Sequence, residues 1–161
     1  MSTAAHAADA AGQPLAHAGI VTKAANGALA GLIGGMVFGM LMAMMGMLPM
    51  VAGLAGSENA VVGLGVHLVN SAVIGAIFGL VAWGTADKLW PVLGAGMVYG
   101  IVWWVLGALI LMPLWLSVTM DPMMRDMIFT VGSDQWMSLM GHVIFGLVTA
   151  LVLFGLKRRR A

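Results

Sequence analysis

The sequence predicts an all-α membrane protein, a four-transmembrane-helix bundle, and three observations predict it. Hydrophobic residues fill 61% of the 161 positions and charged residues 8%, whereas roughly a quarter of a soluble domain is charged. Four segments, near 24–50, 60–83, 91–118 and 135–156, each supply the roughly 20 apolar residues needed to cross the hydrocarbon layer. No Asp, Glu, Lys or Arg falls inside any of the four. The membrane domain so defined runs from 23 to 156.

Residues 1–22, rich in alanine and small polar residues with no helical apolar period, read as a flexible cytoplasmic tail. No basic stretch precedes a short apolar run, so a cleaved signal peptide is not expected. The first hydrophobic segment would then act as the targeting signal. Gly53, Gly56, Ser57 and Asn59 separate the first segment from the second, and Thr85, Asp87, Lys88 and Pro91 separate the second from the third. The third connection, Thr119–Asp134, is longer than a turn. Asp121 followed by Pro122 reads as the N-cap and first residue of a short helix, with Met123, Met124, Met127 and Ile128 on one side. That helix is expected to lie at the outer interface. Residues 157–161 form a basic cytoplasmic C-terminus.

Orientation follows from the bases. Lys23, Lys88 and the Lys157–Arg160 run share one side of a four-crossing chain, while the other side carries Glu58, Asp121, Asp126 and Asp134 with only Arg125. The Lys and Arg bias places both termini in the cytoplasm of a multi-pass protein of the cell membrane.

The chain carries signs of an internal repeat. Gly31–Met40 aligns without gaps on Val92–Ile101, matching Gly35-Met36-Val37-Phe38-Gly39 to Gly96-Met97-Val98-Tyr99-Gly100. Leu48-Pro49-Met50 and Met112-Pro113-Leu114 correspond after a three-residue insertion, and His67 and His142 come at similar depth in the second helix of each half. Two copies of a two-crossing unit share one orientation, so they would be parallel repeats about an axis along the membrane normal.

Glycine spacing predicts how the helices meet. Gly27, Gly31, Gly35 and Gly39 recur every four residues on one face, a glycine-zipper stripe, and Gly75 with Gly79, Gly96 with Gly100, and Gly146 with Ala150 repeat the spacing. Small residues let helix backbones approach in lipid, within a bundle or between protomers. The same arithmetic puts His67, Asn70, Ser71, Gly75, Phe78 and Gly79 on one stripe, and Ser138, His142, Phe145, Gly146 and Thr149 on another. Both stripes are expected to face protein.

These residues set the chemistry. The structural role for His67 and His142 is an interhelical hydrogen bond, for example to a carbonyl freed near Pro49 or Pro113. A metal role adds thioethers from Met44, Met45, Met47, Met50 and Met112, at a similar level, to the two imidazoles, a donor set favouring copper as Cu(I). Within it, His67, His142, Met44, Met47 and Met112 are the candidate ligands. Met40 and Met44, spaced Met-x-x-x-Met, resemble the motif of the high-affinity copper importers. The resemblance covers those residues alone and implies no kinship, since the importers have three crossings. A third role is one b-type haem held by His67 and His142, with Trp103, Trp104 and Phe78 around it; the absence of cysteine excludes covalent c-type attachment. A proton or ion path is the fourth, although no carboxylate or base within a crossing completes a relay.

Other classes are poorly served. Ser71, Ser117, Ser138 and Thr149 have no nearby acid for a triad, and no glycine is followed by a phosphate-loop Lys-Ser/Thr. A net charge of +1 makes no case for nucleic acid. No enzymatic activity is expected. The sequence points to an accessory or assembly subunit, in a homo-oligomer or a larger membrane complex, or alternatively to a small transporter or channel for a metal ion or proton.

Overall fold

A left-handed glycine ends the first helix. The computed structural model describes residues 19–159, beginning with α1 (Ile20–Met44). Gly46, at φ 68°, lets the Met47 amide donate to Met42 O and the Gly46 amide to Ala43 O. That pair of bonds satisfies the last carbonyls of α1 and turns the chain out of the helix. The first crossing therefore stops at Met44 rather than Met50, and Pro49 sits in the first turn of a separate short helix, α2 (Leu48–Ala52). A 3-10 turn, Gly53–Ala55, comes next.

Asn59 caps α3 (Ala60–Ala82) through a 2.8 Å bond from the Val61 amide. The third rod runs unbroken from Leu89 to Thr119 as α4 (Leu89–Trp103), a π-helical segment (Trp104–Leu111) and α5 (Met112–Thr119). Asp121 caps as expected, accepting from the Met123 amide at 2.9 Å, and the capped segment is a short helix of 3-10 type over Pro122–Met127. The chain ends in α6 (Ser133–Arg158). No strand occurs among the described residues, and four helices (α1, α3, the Leu89–Thr119 rod and α6) are long and apolar enough to cross a membrane. Residues 20–22 of the expected tail are helical; its first 18 residues, and Arg160 of the basic run, lie outside the described residues.

The helices pack as two hairpins, α1 with α3 and α4 with α6, joined along α1 and α6. In the first hairpin a Cβ on Gly31 would stand 2.6 Å from the Gly75 Cα, and one on Gly27 would stand 2.7 Å from the Gly79 Cα. In the second, a Cβ on Gly96 would overlap the Gly146 carbonyl and one on Gly100 the His142 carbonyl. Glycine is required at these positions because two backbones pass where a side chain would go. Phe38, Met42, Leu48, Val51 and Phe145 are buried together at the end bearing residues 45–59 and 120–132, the loop end. Ala30, Phe78, Ala82, Val92 and Leu153 form a second core toward the termini. There Lys157 donates to Trp83 O at 2.6 Å and pairs with Asp87 at 3.7 Å.

The remaining pair of neighbours, α3 and α4, scarcely touch. A cleft opens between them.

Candidate functional site

The cleft has a volume of about 720 Å³, and His67 and His142 both line it. Its back wall is Phe38 and Met42 of α1 with Phe145 of α6, and its sides are α3 and the rod from Trp103 to Val118. At the loop end, Trp115 donates its indole N–H to Leu54 O at 2.9 Å and Thr119 its hydroxyl to Gly53 O at 3.1 Å. Those bonds tie the segment after α2 to α5 as a roof. At the other end Tyr99 donates its hydroxyl to Ile74 O at 2.6 Å. Among the described residues this is the side-chain hydrogen bond that joins α3 to α4.

The two imidazoles are held by different carbonyls. His67 Nε2 lies 2.9 Å from Gly35 O on the facing helix, with Ser71 Oγ at 3.5 Å from the same nitrogen. His142 Nδ1 lies 2.8 Å from Ser138 O, one turn back on its own helix, with Ser138 Oγ at 3.4 Å. A carbonyl only accepts, so the ring nitrogen facing it carries the hydrogen. Each neutral ring therefore keeps a lone pair on its other nitrogen, Nδ1 of His67 and Nε2 of His142. Neither has a hydrogen-bond partner among the described residues. The phenyl ring of Phe38 packs edge-on to both, with centroids 5.3 Å from His67 and 4.9 Å from His142.

The carbonyl freed by Pro113 is not the histidines' partner. The imidazoles face Gly35 O and Ser138 O, both distant in the chain from Pro49 and Pro113. Leu109 O, in the π segment before Pro113, accepts instead from the Phe129 amide at 3.2 Å.

The expected methionine layer is only partly assembled. Met47, Met50 and Met112 line the cleft with the imidazoles, and Met45 packs against its core. Met44 does not line it: its side chain is 80% exposed on the outside of α1. The helical period explains the exclusion, because Met42 lies one turn on from Phe38 and shares its face, whereas Met44 is turned well away. Met42, absent from the expected layer, takes the place in the wall. Met40 is exposed as well. No group of three His, Asp or Glu gathers among the described residues.

The polar stripe on α3 also divides. Ser71, Gly75, Phe78 and Gly79 are buried as expected, His67 is half-buried, and Asn70 is exposed in the cleft with no side-chain hydrogen bond among the described residues. Of the aromatic residues expected around His67 and His142, Trp103 lines the cleft. Trp104 turns away to stack on Trp136 and donate to Gln135 O at 2.9 Å, and Phe78 packs on Tyr99. The nine expected packing glycines, Gly27, Gly31, Gly35, Gly39, Gly75, Gly79, Gly96, Gly100 and Gly146, each face a neighbouring helix at a distance that leaves no room for a Cβ without movement.

No protein-family model, curated protein or solved structure matches this chain.

Proposed function

We propose that this chain is a non-enzymatic, multi-pass membrane protein that serves as an accessory or assembly subunit and holds a ligand in the His67–His142 cleft. The observation that carries the reading is the pair of bare ring nitrogens. Each imidazole spends its N–H on a backbone carbonyl, which fixes the ring and its tautomer, and keeps one lone pair unused on a ring that lines the shared cavity. Metal-ligating histidines are oriented in the same way, by donating the other ring N–H to a carbonyl.

Two lone pairs with the thioethers of Met47 and Met112 in the same wall suit a soft ion such as Cu(I). Haem suits the donor set less well, because its macrocycle needs the space between the imidazoles that the Phe38 ring already contacts from both sides. The alternative, a transporter or channel for a metal ion or proton, would have to continue past Tyr99. There the seam is lined by Phe78, Val81, Ala82 and Val98.

The proposal includes two parallel hairpin repeats. Gly35 faces Ser71 and Gly39 faces His67 in one hairpin, while Gly96 faces Gly146 and Gly100 faces His142 in the other. The two offsets agree with the repeat found in the sequence. Both termini are assigned to the cytoplasm of the cell membrane, the Pro122–Met127 turn to the outer interface, and the small-residue faces to a homo-oligomer or a larger complex.

The test is to purify the protein in mild detergent and measure its metal content, absorption spectrum and extractable small molecules, alongside His67→Ala and His142→Ala variants of checked helicity. A stoichiometric ligand lost from both variants supports the reading. A ligand-free protein that also takes up neither added Cu(I) nor an added amphiphile contradicts it. Ion flux into liposomes above that of empty vesicles would favour the transporter instead.

A further inference from the structure

We propose that the occupant of the cleft is a neutral, membrane-soluble amphiphile with a hydroxylated, ring-sized head of the phenol or hydroquinone class, entering sideways from the bilayer between α3 and the π segment. This rests on reading the His67–His142 cleft as a ligand site, and it names the class of ligand.

Size is the first ground. A cavity of about 720 Å³ lies within the roughly 300–1,000 Å³ typical of organic-ligand sites and far exceeds what one ion fills. Such sites are mainly apolar with a few placed polar groups, and this one has five polar residues, His67, Asn70, Ser71, Ser138 and His142, in an otherwise apolar or aromatic wall apart from the Trp indoles.

The direction of entry is the second. The roof bonds from Trp115 and Thr119 close the cleft toward the loop end, and the Tyr99–Ile74 bond closes it below. On the remaining side α3 and α4 scarcely meet, and the rim residues Val73, Leu111, Trp115 and Val118 are exposed. An ion would have to reach that side through hydrocarbon. A lipid-soluble molecule is already there.

Complementarity is the third. Among the described residues no Asp, Glu, Lys or Arg lines the cleft, so a charged head would lie uncompensated at low dielectric. The bare nitrogens of His67 and His142 accept hydrogen bonds and cannot donate them, so the head must bring O–H or N–H groups. Asn70 lines the cleft with an amide that can both donate and accept. Trp103 supplies an aromatic face for a ring, and the π segment widens the helix at Gly107 and Ala108, where the head would sit.

Decylhydroquinone is the probe, titrated against full-length protein in phosphatidylcholine nanodiscs, with its dimethyl ether as the matched compound lacking both O–H donors. A Cβ on Gly107 meets nothing closer than the Trp103 ring at 3.9 Å, so Gly107→Leu should fold and fill the cleft; Ala108→Leu is the second filling variant. Expected are saturable binding of one hydroquinone per chain, weakening by about tenfold or more for the ether as hydrogen bonds are lost, and loss of binding in both filled variants. Equal binding of the ether, or full binding in both filled variants, overturns the proposal. If Cu(I) alone binds and requires His67 and His142, the ligand-site reading stands while the amphiphile fails. If neither probe binds, both fail.

Discussion

The amide of Phe129 donates to the carbonyl of Leu109 at 3.2 Å, joining the loop after α5 to the π segment. Phe129 adopts φ 58° to present its amide, a left-handed conformation costing roughly 1–2 kcal/mol for a residue with a Cβ. Its side chain is mostly exposed. Phe129→Gly keeps the amide and relieves the strain, and is expected to stabilise the protein by about 1 kcal/mol in reversible denaturant unfolding. Phe129→Pro removes the donor and is expected to cost about 1–3 kcal/mol. Equal stability of the two variants would refute the pairing.

Helix approach within the first hairpin gives a contrast between glycines. Gly31→Leu must push the Gly75 backbone away and is expected to cost at least about 1–3 kcal/mol or to prevent folding. Gly65, in the same hairpin, has nothing within 4 Å of its would-be Cβ. Gly65→Ala is expected to be neutral or stabilising by up to about 1 kcal/mol. Thermal unfolding in one detergent checks both.

Phe38 and Gly141 should be energetically coupled. A Cβ on Gly141 would stand 2.7 Å from the Cζ of the Phe38 ring. Gly141→Ala alone is expected to cost about 1–3 kcal/mol by overpacking, and Phe38→Leu makes room for the added methyl. The double variant is therefore expected to lose less than the two single losses combined, by about 1 kcal/mol or more. Strict additivity would mean that the phenyl ring does not fill the space over Gly141.

Reporter fusions check the proposed orientation. Alkaline phosphatase inserted after Thr130 is expected to be active outside the cytoplasm, and a fluorescent protein fused at the C-terminus is expected to fold inside. The reverse pattern would place the His67–His142 cleft in the opposite leaflet.

The limits of sequence reading fall at identifiable residues. The ends of α3 and α6 lie within about two residues of expectation, because hydropathy changes sharply at Asn59, Trp83, Ser133 and Lys157. Hydropathy alone makes the first helix too long, because Met45–Met50 is as apolar as the residues before it. The stop signal, Gly46 with Pro49 three residues on, is present in the sequence. The π segment leaves no mark, since a change of hydrogen-bond register inside an apolar run does not alter composition. Grouping His67 with Ser71, and His142 with Ser138, needs only the helical period. The open seam needs the third dimension, because glycine spacing does not reveal that α4 packs on α6 and scarcely touches α3. Asn70 therefore faces a cleft instead of a neighbouring helix, and Met44 lies outside the layer that its depth alone suggests.

His67 and His142 hold opposite tautomers, each with one bare nitrogen on a ring that lines the cleft. Nitrogen-15 NMR of histidine-labelled protein, assigned with His67→Ala and His142→Ala, measures this directly. The expected spectrum shows a protonated Nε2 with bare Nδ1 for His67 and a protonated Nδ1 with bare Nε2 for His142, and added ligand should shift the two bare nitrogens most. The same tautomer in both rings, or two doubly protonated rings, would contradict the claim.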